Sequence, residues 1–447
     1  MAVSAVDAWS PKASRRFEFV GRELDVASGR LALHYRLDDI SLTESFELPP
    51  GLFEAQERHR PSIEAALDLL HWVAGVSYWK AGCPSEIVFA DQQPGHWQAD
   101  ALNRIWQGGL AEFAWHNQLD RRQWPVFRGM AEPAPLESLP RLQARSLVPM
   151  GGGKDSLVAW ARLARRGCPA DSVQIGRSPL ITAIGQTLGA RHWVIGRQLD
   201  PALGTLNAAG ALNGHVPVTA INSAALVLVA LLLDYDRVVF ANERSAEEAT
   251  RVDSQGQAIN HQFSKSFEFE TLFDDWVRRY VHPGLRVFSA LRRDRELAIC
   301  KEFAALPEFH GQFSSCNRNF HLDGPRGKRW CGQCPKCHFV YLALAPFLSR
   351  SDLASIFGRD LLDDPEQWAG FKALLALDGS KPFECVGEAD EARAAVRALA
   401  ARDEWASACL VHRLSQAIGD QPVPSLAKLC RPGGPHRIPE DLLDAPG

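Results

Sequence analysis

Apolar and polar residues alternate with a period of two along residues 17–49, the pattern of strands that bury one face. This stretch, FEFVGRELDVASGRLALHYRLDDISLTESFELP, is interrupted by turn-forming residues at Gly21, Gly29 and Asp38–Asp39. We therefore predict an antiparallel meander of short strands. The apolar spacing then lengthens to that of helices, which we predict at residues 62–78 and 100–116.

From Ser146 onward, short apolar runs alternate with segments of helical period. The candidate strands are SLVPM, SVQIG, HWVIG, RVVFAN and LRVFSAL, and the candidate helices are LVAWARLARRG, PLITAIGQTLG and TAINSAALVLVALLLD. Strands that alternate with helices predict an α/β fold with a doubly wound parallel sheet. Ligands of such sheets bind at the carboxyl ends of the strands.

Two changes of pattern divide the chain. The segment EPAPLESLPRLQ, residues 132–143, is rich in proline, and the chain after residue 346 is mostly of helical period. We predict an α+β domain over residues 1–140, the α/β domain over 141–348 and a helical region over 349–447. The final stretch, residues 430–447, is rich in proline and glycine, which predicts a loosely packed tail.

Composition narrows the function classes. The 447 residues carry a net charge of −4, which argues against a generally basic nucleic-acid-binding protein. The first residues lack the apolar core of a signal peptide, and the most apolar run, residues 224–233, is too short to span a bilayer. We expect a cytoplasmic protein with no membrane and no nucleic-acid partner. The sequence does not indicate an oligomeric state.

A glycine-rich turn lies between the first strand and the first helix of the α/β part, in VPMGGGKDSLVAWARLARRG. Glycines let backbone N–H groups approach a phosphate, and the following helix adds a partial positive charge. Asp155 is a candidate ligand for Mg²⁺. The alternative is a strand–helix connection that binds nothing. The candidate nucleotide-binding residues of this turn are Gly151, Gly152, Gly153, Lys154, Asp155 and Ser156.

The turn resembles the S-G-G-x-D-S loop of the N-type ATP pyrophosphatases (PP-loop enzymes with a HUP-like fold). Gly151 stands where those enzymes usually have serine, Lys154 fills the free position, and the remaining positions match. The order differs from the Walker loop, G-x-x-x-x-G-K-[ST]. The resemblance implies that ATP is cleaved between its α and β phosphates and that AMP is attached to an oxygen of the substrate.

Four cysteines stand at metal-ligand spacing in SSCNRNFHLDGPRGKRWCGQCPKCHF: Cys316, Cys331, Cys334 and Cys337. Four thiolates suit a structural zinc ion, with His338 as a reserve ligand. An iron–sulfur cluster or a group of buried thiols is the alternative. The arrangement resembles the zinc knuckle of 7-cyano-7-deazaguanine synthase, an N-type pyrophosphatase. The other cysteines, which we predict to be core thiols, are Cys83, Cys168, Cys300, Cys385, Cys409 and Cys430.

Three further stretches place polar side chains where a doubly wound site would lie: NGHVPVTAINS, VVFANERSAEE and INHQFSKSFEFE. The first contributes His215, the second Asn242 and Glu243, and the third His261 and Lys265. The alternating Glu268 and Glu270 that follow fit the solvent-facing side of a strand.

Together with GGGKDS and CGQCPKC, these stretches resemble the UDP-N-acetylmuramoyl-L-alanyl-L-glutamate epimerases over residues 146–348. The resemblance implies inversion of the terminal L-glutamate of UDP-MurNAc-L-Ala-L-Glu to D-glutamate, in peptidoglycan precursor synthesis. It also implies ATP, Mg²⁺ and structural zinc as cofactors, with AMP and pyrophosphate as products.

This chemistry needs one or more proton-transferring groups, because adenylation of a carboxylate acidifies the adjacent Cα–H and inversion requires access to both faces. The candidates are His215, His261, Lys265 and Lys154, with Asn242 and Glu243 as nucleotide or Mg²⁺ ligands. The alternatives are another PP-loop ligase, such as a 7-cyano-7-deazaguanine synthase-like enzyme, and a zinc-knuckle RNA-binding protein.

Overall fold

The predicted strands form one mixed sheet in a computed structural model, which describes residues 9–443 except 26, 50–56, 135, 137–138, 248–250, 253–257, 321–328, 380–381, 383 and 385. Cys385 therefore lies outside the described residues. The strands are β1 (Arg16–Asp25), β2 (Arg30–Leu37), β3 (Ile40–Glu47), β4 (Glu86–Phe89), β5 (Gln143–Pro149), β6 (Ala170–Ile175), β7 (His192–Gln198), β8 (Tyr235–Phe240), β9 (Arg251–Val252), β10 (Ala258–Ile259) and β11 (Arg286–Ser289).

The sheet order is β11-β8-β5-β6-β7-β3-β2-β1-β4, and β9 and β10 form a separate pair. The five strands from β11 to β7 are parallel to one another, which confirms the α/β prediction. The chain runs outward from β5 through β6 to β7 and then returns to β8 on the other side of β5. The strand order therefore reverses between β5 and β8, the place where such sheets bind ligands.

The predicted N-terminal meander is confirmed as β1, β2 and β3, which pair antiparallel. The left-handed backbone of Gly29 (φ 72°) and Asp38 (φ 53°) confirms two of the turns. The predicted turn at Gly21 is wrong, because β1 continues through this residue with a register shift between Phe19 and Gly21. A β-bulge absorbs the extra residue there without ending the strand.

The meander and the parallel strands share hydrogen bonds. Strand β3 pairs antiparallel with β7, so that Ser45 lies opposite Gln198 and Glu47 opposite Gly196. The sheet is thus continuous across the predicted boundary near residue 140. The division into three domains stays a prediction.

The helices follow the predicted segments, and the chain after residue 346 is mainly helical as predicted. They are α1 (Arg60–Ala74), α2 (Val76–Trp79), α3 (His96–Gly109), α4 (Ala111–His116), α5 (Lys154–Arg165), α6 (Pro179–Thr187), α7 (Ala202–Ala208), α8 (Val218–Leu232), α9 (Phe267–Trp276), α10 (Glu296–Ala304), α11 (Pro307–His310), α12 (Pro335–Leu344), α13 (Arg350–Phe357), α14 (Trp368–Leu374), α15 (Ala389–Ala400), α16 (Cys409–Ile418) and α17 (Leu426–Leu429).

The strand suggested by the alternation of Glu268 and Glu270 is wrong, because both residues lie in α9. The Ser266 side chain caps this helix by accepting a hydrogen bond of 3.1 Å from the Phe269 N–H. Glu270 is buried, where its carboxylate pairs with Arg292 at 2.9 Å, whereas Glu268 is exposed. The local cap and this ion pair favour the helix over the strand that alternation alone would indicate.

Two apolar cores flank the site region. The apolar run of α8 is a buried helix, as predicted, and it packs against α1 and the sheet. A second core lies between α10, α12 and the C-terminal helices. The described part of the predicted loose tail is exposed or half-buried except at Leu442, which is buried in one apolar cluster with Val148 and Val239 of the sheet. In the described part of the chain, no helix has the length and apolar character needed to cross a bilayer.

Candidate functional site

A cleft of about 450 Å³ opens at the carboxyl ends of β5, β6 and β8, where the strand order reverses. Its volume lies in the range of small-molecule sites. The cleft wall contains backbone of the glycine turn, apolar side chains of the strands and several polar side chains. The polar residues of the wall are Asp155, Ser156, Thr219, Asn222, Asn242, Lys265, Ser315 and Lys336.

The glycine turn forms one end of this cleft. Gly151 and Gly153 line it directly, and α5 begins immediately afterwards, so the helix N-terminus faces the cleft. Gly152 has a φ of 78°, a left-handed conformation that favours glycine. A Cβ atom on Gly153 would lie 2.6 Å from Oγ of Ser315, so a larger residue here would require the Ser315 side chain to move. The geometry of the turn is compatible with anion binding, and its nucleotide-binding role stays a prediction.

The side chain of Lys154 lies away from the cleft wall. It is 2% exposed and forms ion pairs with Glu296 and Asp155. Burial alone would lower the pKa of Lys154, but the two carboxylates raise it well above its ordinary value. Burial raises the pKa of Glu296 to about 8 despite the adjacent ammonium group. These ion pairs hold the Lys154 side chain in the protein interior, next to the turn. The predicted roles of Lys154 in nucleotide binding and catalysis stay predictions.

Two other lysines reach the cleft, Lys265 from the predicted polar stretch and Lys336 from the start of α12. Burial alone would raise the pKa of Asp155, but the ammonium groups of Lys154 and Lys336 outweigh burial and lower it. Asp155 is therefore ionised in the cleft wall. The cleft combines this carboxylate with positive charge, a combination that suits a metal-bound polyphosphate.

The predicted catalytic histidines lie together. The ring centroids of His215 and His261 are 4.7 Å apart, and Nδ1 of His261 is hydrogen-bonded to the carboxylate of Glu112. The Glu112 carboxylate also lies 3.9 Å from Nδ1 of His215. Burial alone would raise the pKa of Glu112, but the hydrogen bond to His261 outweighs it and the pKa is lowered. Glu112 thus carries the negative charge that stabilises a protonated imidazole.

Burial and the neighbouring His261 lower the pKa of His215 to about 4, so His215 is neutral at pH 7. His215 lies three residues before the start of α8, whose first turns supply Thr219 and Asn222 to the cleft. Lys265 acts electrostatically on His215 and also lines the cleft. The histidine pair and the cleft are therefore parts of one site region.

The loop after β8 brings Asn242 into the cleft wall, whereas Glu243 is buried. The charge of Glu243 adds to the rise in the pKa of Glu296, after burial as the main cause, so the two carboxyl groups are close. The buried Arg292 guanidinium donates hydrogen bonds to the carbonyls of Glu243 and Lys265, at 3.1 and 2.7 Å. Arg292 therefore ties together the two segments that carry predicted site residues.

The four predicted cysteine ligands come together with their sulfur atoms within 4.8 Å of one another. The Sγ atom of Cys337 lies 3.7 Å from that of Cys331 and 3.4 Å from that of Cys334. His338 is instead turned toward Gln367, to which its Nε2 is hydrogen-bonded at 2.9 Å. Four converging sulfurs fit a tetrahedral thiophilic ion, and the set is compatible with zinc. The other described cysteines are free thiols.

The residues of this region that the sequence did not indicate include Glu112, Ser315 and Lys336. Glu112 belongs to a helix of the N-terminal part, and nothing in its sequence context indicates that it meets a histidine 149 residues away. Ser315 and Lys336 stand next to cysteines in the sequence, a position that indicates a metal site and not a nucleotide cleft. The available signal for Lys336 was the lysine in the last gap of the seven-residue segment CGQCPKC.

The fold and site define a mixed α/β protein with a ligand cleft at the strand carboxyl ends and a four-cysteine cluster. The MurL N-terminal domain matches residues 8–290, and the MurL C-terminal domain matches residues 312–428. The chain belongs to the MurL family, which confirms the family resemblance of the sequence.

Curated relatives match nearly the whole chain. A protein from Xanthomonas oryzae pv. oryzae (strain MAFF 311018) is 43% identical over 436 residues, covering 96% of each chain. One from Micromonospora sp. (strain ATCC 39149 / NRRL 15099 / SCC 1413) is 38% identical, covering 96% of this chain and 97% of its own. Both are named UDP-N-acetyl-alpha-D-muramoyl-L-alanyl-L-glutamate epimerase. The nucleobase-modifying and RNA-binding alternatives are not favoured by these matches.

Proposed function

We propose that this protein is an ATP-dependent epimerase that converts UDP-MurNAc-L-Ala-L-Glu to UDP-MurNAc-L-Ala-D-Glu. The observation that carries the proposal is the cluster of Glu112, His215 and His261, which lies close to Lys265 of the cleft wall. The names of the relatives supply the substrate. An epimerase needs proton-transferring side chains next to the substrate, and the histidine cluster beside the cleft supports this assignment.

In this proposal ATP occupies the cleft with its phosphates on the glycine turn. The backbone of Gly151 and Gly153 and the N-terminus of α5 would bind phosphate oxygens, and Asn242 would contact the nucleotide. Asp155 and Glu243 are the carboxylates that would hold Mg²⁺, which offsets the charge of the triphosphate when it is bound. The four-cysteine cluster would hold zinc in a structural site.

The reaction begins when an oxygen of the α-carboxylate of the terminal glutamate attacks the α phosphorus of ATP. The P–O bond to the β phosphate breaks, and pyrophosphate leaves. The carboxylate has then become an acyl adenylate, which no longer carries the negative charge that opposes removal of the neighbouring Cα proton. Water later cleaves the adenylate and releases AMP, so each inversion consumes one ATP.

The spacing of the two histidine rings indicates how the proton-transferring side chains divide between the two faces of Cα. Ring centroids 4.7 Å apart leave no room for a substrate carbon between His215 and His261, so the two histidines act as one unit on one face of Cα. Neutral His215 accepts a proton, and Glu112 stabilises the positive charge that the pair gains. We assign the opposite face to Lys265, which lines the cleft.

A deuterium experiment tests this assignment. With ATP in D₂O, the wild-type protein should release pyrophosphate, invert the glutamate and incorporate deuterium at Cα. The variants H261A and K265M should each lose inversion. Each should still exchange the Cα hydrogen of one epimer, and the two variants should differ in which epimer they exchange, because each retains the group on one face.

The outcomes separate the alternatives. Pyrophosphate release without inversion of the glutamate would indicate a different ATP-dependent ligase. Exchange of the same epimer by both variants would overturn the assignment of the two faces. The variant E268Q is a matched control, since Glu268 is an exposed carboxylate on α9 that pairs with Arg104 at the surface.

A further inference from the structure

We propose that the four-cysteine cluster positions Ser315 and Lys336 in the wall of the cleft, where their side chains bind the triphosphate of ATP. This inference rests on the proposed ATP-dependent function. It assigns to the two residues a role in binding the phosphates, and it makes the metal a positioning element of the nucleotide site.

The two residues come from opposite ends of the cluster and meet at the cleft. Ser315 immediately precedes Cys316, and Lys336 immediately precedes Cys337. Both line the cleft, together with the glycine turn. A four-sulfur site draws the segment around residue 316 and the segment 331–337 to one point, so metal binding sets the distance between Ser315 and Lys336.

The Ser315 hydroxyl lies close to the space that Gly153 leaves open in the turn by having no side chain. A Cβ on Gly153 would lie 2.6 Å from the Ser315 Oγ, and the Ser314 N–H donates to the Gly152 carbonyl at 2.9 Å. The cysteine segment is therefore hydrogen-bonded to the turn itself. Gly151 replaces a serine of the resembling S-G-G-x-D-S loop, and Ser315 returns a hydroxyl to the same wall of the cleft.

Lys336 provides a positive charge at this wall. It lies in the first turn of α12, whose N-terminus carries a partial positive charge, and it is close enough to act electrostatically on both Asp155 and Glu296. Within the described part of the chain, no carboxylate forms an ion pair with the Lys336 ammonium. A half-buried lysine directed at a cleft without an ion-pair partner is suited to an anionic ligand.

Equilibrium binding of α,β-methylene-ATP with Mg²⁺ tests the inference without turnover. We expect K336M to weaken binding by about tenfold or more and S315A by roughly threefold to tenfold, as for lost charged and neutral hydrogen bonds. K336R should restore part of the loss. The matched control is K372M, because Lys372 is an exposed lysine of α14 outside the cleft wall. Zinc content and thermal unfolding should be unchanged in all four variants.

A second arm removes the metal with a chelator and repeats the titration, with circular dichroism to verify the fold. Metal-free wild-type protein should bind the analogue as weakly as K336M, and K336M should lose little more on metal removal. Unchanged affinity in K336M and S315A, with tight binding by the wild type, would overturn this inference and leave the epimerase proposal standing. A wild-type protein that neither binds the analogue nor releases pyrophosphate would overturn both.

Discussion

Glu112 of helix α4 forms a hydrogen bond to His261, and the same carboxylate lies 3.9 Å from Nδ1 of His215. One side chain of the N-terminal part thus organises two histidines from separate segments of the α/β part. The proposed proton transfer therefore depends on contact between the N-terminal part and the α/β part, which the sequence pattern assigns to separate domains.

Replacement E112Q should lower kcat for epimerisation by about 100-fold or more, because the amide keeps the size of the side chain but not the charge that stabilises a protonated imidazole. ATP–pyrophosphate exchange in the presence of substrate should be retained, because adenylation precedes proton transfer in the proposed mechanism. Parallel assays of glutamate inversion and of ATP–pyrophosphate exchange measure the two rates separately. E268Q should leave both rates near those of the wild type, and an equal loss of both rates in E112Q would contradict the proposed role.

Because Gly153 and Ser315 are in close contact, substitutions at the two positions should have non-additive effects on the free energy of unfolding. G153A should destabilise the protein by about 1 kcal/mol, because the new Cβ meets the Ser315 hydroxyl. S315A in the same background should restore most of the loss, as urea unfolding of the single and double variants would measure. G151A is the stability control, since a Cβ there meets nothing within 4 Å. Independent effects of G153A and S315A would show that the contact is absent.

The cysteine cluster should bind about one zinc ion per chain, measurable by elemental analysis. C331S should lower the zinc content and the unfolding temperature, because it removes one of four converging sulfurs. C409S should change neither, as Cys409 is a half-buried free thiol outside the cluster. Stoichiometric iron with visible absorbance in place of zinc would instead assign an iron–sulfur cluster.

Glu391 should make stability pH-dependent. It is buried on α15, where it accepts hydrogen bonds from Ser245 Oγ at 2.7 Å and the Leu297 N–H at 2.8 Å. Burial raises its pKa from 4.5 to about 7, so between these values the folded protein binds a proton that the unfolded chain does not. The resulting stability is complete below pH 4.5 and is lost as pH rises through 7.

The variant E391Q should therefore gain stability relative to wild type as pH rises from 4.5 to 7, by roughly 3 kcal/mol. Urea unfolding across this range measures the difference. E366Q is the control, because Glu366 is exposed. A constant difference between E391Q and wild type would show that Glu391 titrates alike in the folded and unfolded states.

Local patterns account for the parts of the fold that the sequence predicted well. Strands and helices of the α/β part were recognisable because their apolar runs are short and regular, and the glycine turn because Gly152 and Gly153 meet specific steric demands. Local pattern is misleading where a long-range contact overrides it. Arg292 buries Glu270 in a helix, and the sheet buries Leu442 in a stretch composed like a tail.

The α/β order of elements, the turn, the cysteine spacing and the family could all be read from the amino-acid sequence, because each depends on residues close together in the chain. Folding in three dimensions pairs the meander with the parallel strands through β3 and β7. It also pairs Lys154 with the buried Glu296 and places Glu112 beside the two histidines. The same folding sets Ser315 and Lys336 beside the glycine turn. These relationships depend on packing between distant segments, which composition and periodicity do not encode.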